Sequence, residues 1–301
     1  MSTKQQTPDK LKDLVKEKYN KISEQPLDFN ASSCCGAGES SEEVYNIMTD
    51  DYSEMDGYNK EADLGLGCGL PTQFARISEG DTVIDLGSGA GNDCFVARHQ
   101  TGPAGKVLGI DFAESMISKA RKNAEKMEFN NVEFRNGDIE EMPVSDNLAD
   151  VIVSNCVLNL VPDKEKVFSE IFRVLKPGGH FSISDIVLVG DLPEPLREDA
   201  EMYAGCVAGA IQKDEYLGHI EELGFEHITI QKEKPIIIPD DILSKYLSEQ
   251  EIHEFKNGAT GIYSITVYAQ KPGGGDSSFE EIQTVGEQSS GPACTPGSGC
   301  C

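Results

Sequence analysis

Apolar and amphipathic segments alternate through the middle of the chain. Five apolar segments have the length and composition of buried strands, namely residues 82–87, 106–111, 131–138, 149–155 and 180–189. Helical periodicity occurs between them, over residues 92–99, 113–127 and 164–175. A Pro-Gly-Gly at 177–179 is expected to stop the last of these helices. Strands separated by helices of this length predict a parallel, doubly wound α/β sheet.

The two ends of the chain have a different character. Residues 9–22 predict a helix, and residues 29–40, FNASSCCGAGES, predict a mobile polar loop. After the fifth strand, residues 191–222 predict a helical segment. Residues 224–231 and 261–270 then predict the last two strands. Glycine and proline supply 10 of the 31 positions from residue 271 onward, which predicts a disordered tail.

Charge narrows the range of partners. The 301 residues carry a formal net charge of −26, which argues against binding to nucleic acid or to anionic membrane surfaces. The charged start has no apolar signal core, and no apolar run is long enough to span a bilayer. We therefore expect a cytoplasmic protein whose thiols stay reduced. Its nine cysteines are then ligands or redox groups rather than structural disulfides.

A glycine-rich turn marks a ligand site at the end of the first strand. The turn reads Asp85-Leu-Gly87-Ser88-Gly89-Ala-Gly91 and opens the first helix. Asp111 ends the second strand, where a carboxylate can accept ribose hydroxyls, and Asp138 follows the third, where it can accept an adenine amino group. Each acid alone could simply cap the next helix. The glycines have the spacing GxGxG, not the dinucleotide-binding GxGxxG.

This arrangement resembles the class I S-adenosylmethionine methyltransferases over residues 75–190. The resemblance implies a Rossmann-like fold, S-adenosylmethionine as methyl donor and no metal cofactor. Four units are then expected. They are an N-terminal cap (1–75), the S-adenosylmethionine-binding domain (76–190), a substrate lid with the last strands (191–270) and the tail (271–301).

Three cysteines lie in segments that can converge on the methyl group. Cys156 ends the fourth strand, Cys206 lies in the helical insertion, and Cys68 lies in LGLGCGLP just before the sheet. Their spacing is too wide for a local zinc motif, whereas Cys94 beside apolar residues is expected in the core. Soft thiolates select soft ions, and trivalent arsenic accepts three sulfur ligands while keeping a lone pair. The three thiols therefore favour arsenite as the substrate.

Long segments of the chain resemble the microbial arsenite methyltransferases. They include GLGCGLP, VIDLGSGAGNDCFVAR, SNCVLNLVPDK and YAGCVAGA, and the likeness runs from Gly65 to Ala210. The resemblance implies that arsenite binds to Cys68, Cys156 and Cys206. It also implies a redox cysteine at Cys34 or Cys35, with Cys35 preferred. The residues implied around the cofactor are Gly87, Gly89, Gly91, Asp111, Asp138, Ile139 and Asn155, to which the turn residues Asp85 and Ser88 are added.

Other functions stay open at this point. A methyltransferase acting on a quinone precursor, a sterol or a small thiol would need an oxygen-activating His or Glu. A thiol-rich metalloid sensor or buffer on the same fold would bind arsenic without methyl transfer. The expected partners are arsenite, methylarsenite and a thiol reductant such as glutathione or thioredoxin, and a monomer is favoured. Cys294, Cys300 and Cys301 in the tail either gather metalloid or are accessory.

Overall fold

A computed structural model describes residues 50–193, 209–238, 240–244, 247–258 and 260–273, and eight residues between 12 and 23. The strands are β1 (Thr82–Leu86), β2 (Lys106–Asp111), β3 (Val132–Asn136), β4 (Ala149–Asn155), β5 (Leu175–Val189), β6 (Glu226–Pro235) and β7 (Gly261–Gln270). The helices are α1 (Pro71–Phe74), α2 (Asn92–Thr101), α3 (Glu114–Lys126), α4 (Lys164–Val174), α5 (Lys213–Glu222), α6 (Asp240–Leu243) and α7 (Glu249–Asn257).

The seven strands form one sheet in the order β3-β2-β1-β4-β5-β7-β6. Strands β1 to β5 pair in parallel, as the alternation of strands and helices predicts. Strand β7 is antiparallel to both β5 and β6, a direction that the alternation of the first five strands with helices does not predict. The reason is the connection between β6 and β7, which provides no crossover, so the chain returns along its neighbour.

Helices cover both faces of this sheet because its central strands are apolar on both sides. Ile84 and Leu86 of β1 pack in the layer that contains Phe168 of α4, whereas Val83 packs in the layer that contains Phe95 of α2. All five side chains are fully buried. Burial of each such side chain stabilises the fold by about 1.5–3 kcal/mol. The edge of the sheet that carries the glycine turn is therefore held in place by a packed core on both faces.

Most predicted elements are confirmed to within a few residues, with two corrections. Strand β5 begins at Leu175, not at residue 180, because the Pro-Gly-Gly forms a bulge between the pairs Ala149–Leu175 and Val151–His180. The predicted helix over 191–222 is confirmed only for α5, since residues 191–193 and 209–212 are not helical and 194–208 lie outside the described residues. The tail from residue 274 onward also lies outside them. Within the described ranges, every helix is too short or too polar to cross a lipid bilayer.

The four predicted units stay a prediction, although β6 and β7 complete the sheet of the second unit. Near the N-terminus, the described residues between 12 and 23 are helical, as predicted. Lys12 donates to Asp138 at 2.6 Å, and Ser115 donates to the side chain of Asn20 at 2.5 Å. The described residues between 12 and 23 therefore pack across the carboxyl edge of the sheet.

One carboxylate lies fully buried inside strand β5. Asp185 accepts hydrogen bonds from the Asn159 amide at 2.7 Å and from the Tyr216 hydroxyl at 3.4 Å. Burial raises the pKa of Asp185 to about 7, against the opposing effect of Lys164. In the unfolded chain the same carboxyl titrates near its ordinary value.

This difference predicts a pH-dependent stability that Asp185→Asn should remove. Between pH 4 and 7 the folded protein holds the Asp185 proton more tightly than the unfolded chain, so the free energy of unfolding falls as the pH rises. The loss is up to roughly 4 kcal/mol for a shift of about three pKa units. Denaturant unfolding at several pH values should show a flatter profile for Asp185→Asn than for the wild type. Parallel profiles would mean that Asp185 is not the group responsible.

Candidate active site

A cleft opens at the carboxyl edge of the sheet, between β1 and β4. The strand order reverses there, and open α/β sheets bind ligands at such a point. The cleft has a volume of about 790 Å³ and adjoins a second cavity of about 400 Å³, and both volumes include space open to solvent. Both are lined by Gly87, Asp111, Phe112, Val157 and Leu160. The two spaces therefore form one elongated site around Asp111 and Phe112.

The glycine turn forms the floor of the cleft. Gly87 has a φ of +67°, and a Cβ there would overlap the side chain of Val157, so only glycine fits. Asp85, Ser88 and Gly89 line the cleft as well, whereas Gly91 precedes the first residue of α2. The hydroxyl of Ser88 is buried without a hydrogen-bond partner among the described residues. Buried hydroxyls without a partner are uncommon in folded proteins and often occur at functional sites.

The acids after β2 and β3 differ in their surroundings. One Asp111 oxygen accepts the Gly89 N–H at 2.9 Å and the other accepts the Ala113 N–H at 2.8 Å. Asp111 therefore caps the next segment and still faces the cleft with spare acceptor capacity. Asp138 and the buried Ile139 line the second cavity, where Asp138 also pairs with Lys12. The predicted adenine contact of Asp138 stays a prediction.

The main cleft is acidic. Asp63, Asp85, Asp93 and Asp111 line it, and none of the lining residues that the structure describes is Lys, Arg or His. Burial raises the pKa of Asp85 well above its usual range and raises that of Asp111 to about 6. A pyrophosphate would meet only negative charge here, whereas a cationic ligand would stabilise the ionised carboxylates. The cleft therefore suits a sulfonium better than a dinucleotide.

Two of the predicted arsenic ligands meet beside this cleft. Cys68 and Cys156 form a disulfide with their Cα atoms 5.8 Å apart, although they are separated by 88 residues in sequence. The expectation that all cysteines are reduced is therefore not met at this pair. Cys156 also has a φ of +60°, which costs about 1–2 kcal/mol for a residue with a Cβ and is typical of functional sites. Cys35 and Cys206, together with Cys34 and the tail cysteines, lie outside the described residues.

The third described cysteine is in the core, as predicted. Cys94 is fully buried on α2, and its thiol donates to Asp85 at 3.2 Å. Among the described residues, no group of three His, Cys, Asp or Glu side chains is placed to hold a metal ion. Of the three cysteines in the proposed thiol site, the described residues include only Cys68 and Cys156.

The disulfide is shielded by apolar side chains that sequence reasoning did not single out. They come from β5, the residues just after it, β7 and the connection after β6, and comprise Ile186, Leu192, Ile236, Ile238, Leu243, Leu247 and Ile262. No local motif marks this connection as part of the site, because its role depends on the β6–β7 hairpin folding over the sheet edge.

Asn155 has a structural role that the sequence did not predict. Its amide donates to the Tyr52 hydroxyl at 2.6 Å and to the Gly69 carbonyl at 2.8 Å, and its oxygen accepts the Cys68 N–H at 3.0 Å. Asn155 lines the cleft, but both of its N–H donors are already used by the segment around Cys68. Cofactor contact by Asn155 stays a prediction.

Comparison with known proteins identifies the family. A family model described as a methyltransferase domain matches residues 77–224. An arsenite methyltransferase from Halobacterium salinarum is 37% identical over 273 residues, which cover 88% of this chain and 68% of that protein. The chain belongs to the arsenite methyltransferase family. An arsenite methyltransferase from Aquipseudomonas alcaligenes is 33% identical, with 79% of this chain and 69% of that protein covered.

A solved structure agrees with this assignment. The crystal structure of an arsenic(III) S-adenosylmethionine methyltransferase from Chlamydomonas reinhardtii superimposes with a TM-score of 0.57 at 32% identity. The alignment covers 69% of this chain and 68% of that one. The class I methyltransferase fold expected from the glycine turn is thereby confirmed, and arsenite methyltransferases share the cleft's strand framework.

The cleft predicts a pH-dependent affinity for S-adenosylmethionine that is governed by Asp111. Ribose hydroxyls are predicted to donate to the ionised Asp111 carboxylate, and burial raises the pKa of Asp111 to about 6. The dissociation constant should therefore rise as the pH falls below about 6, by up to about tenfold per pH unit. Calorimetry between pH 5 and 8 measures it.

Two variants isolate the contribution of Asp111. Asp111→Ala removes charge-assisted hydrogen bonds worth roughly 1.5–3 kcal/mol each and should weaken cofactor binding at every pH. Asp111→Asn should weaken it and flatten the pH profile. If Asp111→Asn keeps the wild-type pH profile, another cleft carboxylate such as Asp93 is the titrating group.

Proposed function

We propose that this chain transfers the methyl group of S-adenosylmethionine to trivalent arsenic held by cysteine thiolates. Arsenite is the first substrate and methylarsenite the second, and the biological role is arsenic detoxification. The observation that carries the proposal is the meeting of Cys68 and Cys156 beside the acidic cleft. Cys206 is the third proposed ligand and Cys35 the proposed redox partner.

The cleft residues fit S-adenosylmethionine. Bound there, the cofactor supplies a methyl group on a positively charged sulfur. Asp111 would accept the ribose hydroxyls, the turn from Gly87 to Gly89 would allow close approach, and the Ser88 hydroxyl would gain a partner. Asp138 and Ile139 would enclose the adenine, and the acidic lining would favour the cationic centre.

Thiolates prepare arsenic for methylation without a general base. They replace the hydroxyl groups of arsenite and leave its lone pair as the nucleophile. The lone pair forms the bond to the methyl carbon, while the electron pair of the broken carbon–sulfur bond passes to sulfur, so arsenic becomes formally pentavalent. Two thiols of the chain, with Cys35 as the proposed redox partner, supply the two electrons that return it to trivalent methylarsenite, and the thiol reductant reduces the disulfide that they form. The chain's main contribution is therefore orientation. No histidine lines the described cleft, which disfavours substrates whose oxygen needs activation.

The disulfide adds a requirement for reductant. Arsenic binds to thiolates, so the bond between Cys68 and Cys156 must first accept two electrons from a thiol reductant such as glutathione or thioredoxin. A cytoplasmic location would supply that reductant. The proposed unit is a monomer with small-molecule partners and no nucleic acid or membrane partner.

Arsenic speciation after turnover tests the function directly. The full chain is incubated with arsenite, S-adenosylmethionine and a dithiol, and methylated arsenic is separated by chromatography. Methylarsenic should form only when all three components are present. If arsenic binds but no methyl group is transferred, a metalloid sensor or buffer replaces this proposal. Methylation of a quinone precursor or another small molecule in its place would favour the other alternative.

Serine substitutions should separate the cysteines that both substrates need from those that only arsenite needs. Arsenite has three exchangeable positions on arsenic, whereas methylarsenite has two. Cys156→Ser and Cys206→Ser should abolish methylation of both substrates, because a protonated hydroxyl cannot replace a thiolate. Cys68→Ser and Cys35→Ser should lose activity on arsenite and keep much of it on methylarsenite.

Cys94→Ser is the matched control. Its thiol is buried against Asp85, so the variant should affect neither substrate beyond a small loss of stability. Wild-type methylation of methylarsenite by Cys156→Ser would show that the ligand assignment is wrong.

A further inference from the structure

A buried tyrosine lies behind the Cys68 segment. The Tyr52 hydroxyl donates to the Asp93 carboxylate, with oxygen–oxygen distances of 2.8 and 2.9 Å, and it accepts from the Asn155 amide at 2.6 Å. Burial, followed by the charge of Asp93, raises the pKa of Tyr52 well above its usual range. The hydroxyl therefore keeps its proton and stays a donor to Asp93.

Asp93 anchors this hydrogen-bond chain to α2. Its side chain is buried and accepts from the Thr72 hydroxyl at 3.2 Å as well as from Tyr52. Desolvation raises the pKa of Asp93, while the hydrogen bonds of Tyr52 and Thr72 oppose the rise. A buried carboxylate of this kind depends on its donors, so the orientation of Tyr52 is strongly constrained.

The other end of the chain reaches Cys68 through its backbone. The Asn155 oxygen accepts the Cys68 N–H at 3.0 Å, and the Asn155 amide donates to the Gly69 carbonyl at 2.8 Å. The segment lies so close that a Cβ on Gly67 would be 2.6 Å from the Asn155 amide nitrogen, and one on Gly69 would be 2.5 Å from the Ser184 hydroxyl. These contacts do not involve the sulfur, so none of them requires the disulfide.

We propose that Tyr52 is a positioning residue for Cys68 in the methylation of arsenite. It orients the Asn155 amide, and Asn155 in turn holds the Cys68 backbone against the end of β4. After reduction of the disulfide, Cys68 thereby stays close to Cys156 and the two sulfurs can share one arsenic. Preorganisation of this kind reduces the entropy lost when a ligand set forms.

The inference rests on the proposed function and deepens it. Arsenite needs all three thiolates, whereas methylarsenite needs two, and Cys68 is the ligand that methylarsenite can lose. A displaced Cys68 should therefore weaken the use of arsenite far more than that of methylarsenite. A purely structural role of Tyr52 would reduce both activities in parallel.

Tyr52→Phe tests the proposal because it removes one oxygen atom and leaves the ring in place. We expect the Michaelis constant for arsenite to rise by about tenfold, which corresponds to one lost buried hydrogen bond. The constants for methylarsenite and S-adenosylmethionine should change by less than about twofold. Asp93→Asn, which keeps an acceptor oxygen for Tyr52 but lacks the charge, should shift the arsenite constant in the same direction by less.

Tyr58→Phe is the matched control. Tyr58 lies on the same segment and its hydroxyl donates to Asp63 at 3.1 Å, away from Cys68. It should leave the ratio of arsenite to methylarsenite efficiency within about twofold of wild type. An unchanged ratio in Tyr52→Phe, or equal losses on both substrates, overturns the inference. If Tyr52→Phe does not fold, an unchanged ratio in Asp93→Asn overturns it. Absence of arsenite methylation by the wild type would instead refute the proposed function.

Discussion

The parallel pairing of β1 with β4 is the constraint on which the site depends. It aligns Leu86 with Ser154, so the glycine turn and Cys156 leave the sheet at the same edge. The strand order reverses at this pair, and the cleft therefore opens between the points where β1 and β4 leave the sheet. The positions of the glycine turn and of Cys156 are thus determined by the register of two buried strands rather than by flexible loops.

Charge gives this edge its selectivity. Four aspartates line a cleft in which the described residues provide no cationic side chain, and burial raises the pKa of Asp85 and Asp111. In the free protein this arrangement is unfavourable, because partly dehydrated carboxylates repel one another. A ligand with a positively charged sulfur relieves that repulsion, whereas a pyrophosphate would increase it. The aspartates that repel one another in the free protein therefore favour the methyl donor over dinucleotides.

The Cys68 segment combines a soft sulfur atom with a backbone that hydrogen bonds hold in place. Its backbone is held by Asn155 and Ser264, the latter donating to the Cys68 carbonyl at 2.6 Å. Its sulfur lies among apolar side chains of β5, β7 and the connection after β6. Thiols in such surroundings are protected from solvent while their geometry is fixed. This suits a site in which three sulfurs must meet one arsenic beside the methyl group.

The sequence by itself determined the strands and helices around the glycine turn, the turn itself and the acids at or just after the ends of β1, β2 and β3. These features depend on local periodicity and on residues adjacent to strand ends, so they can be recognised without distant contacts. The family likeness added the expectation that Cys68, Cys156 and Cys206 bind arsenic, which stays a prediction. Only the tertiary structure decided that β7 is antiparallel, that the segment after β6 covers Cys68 and Cys156, and that Asn155 binds both the Cys68 backbone and the Tyr52 hydroxyl. The physical reason is sequence distance. Tyr52, Asp93 and Asn155 come together only when the sheet has formed, and no local pattern records a hydrogen bond across 103 residues.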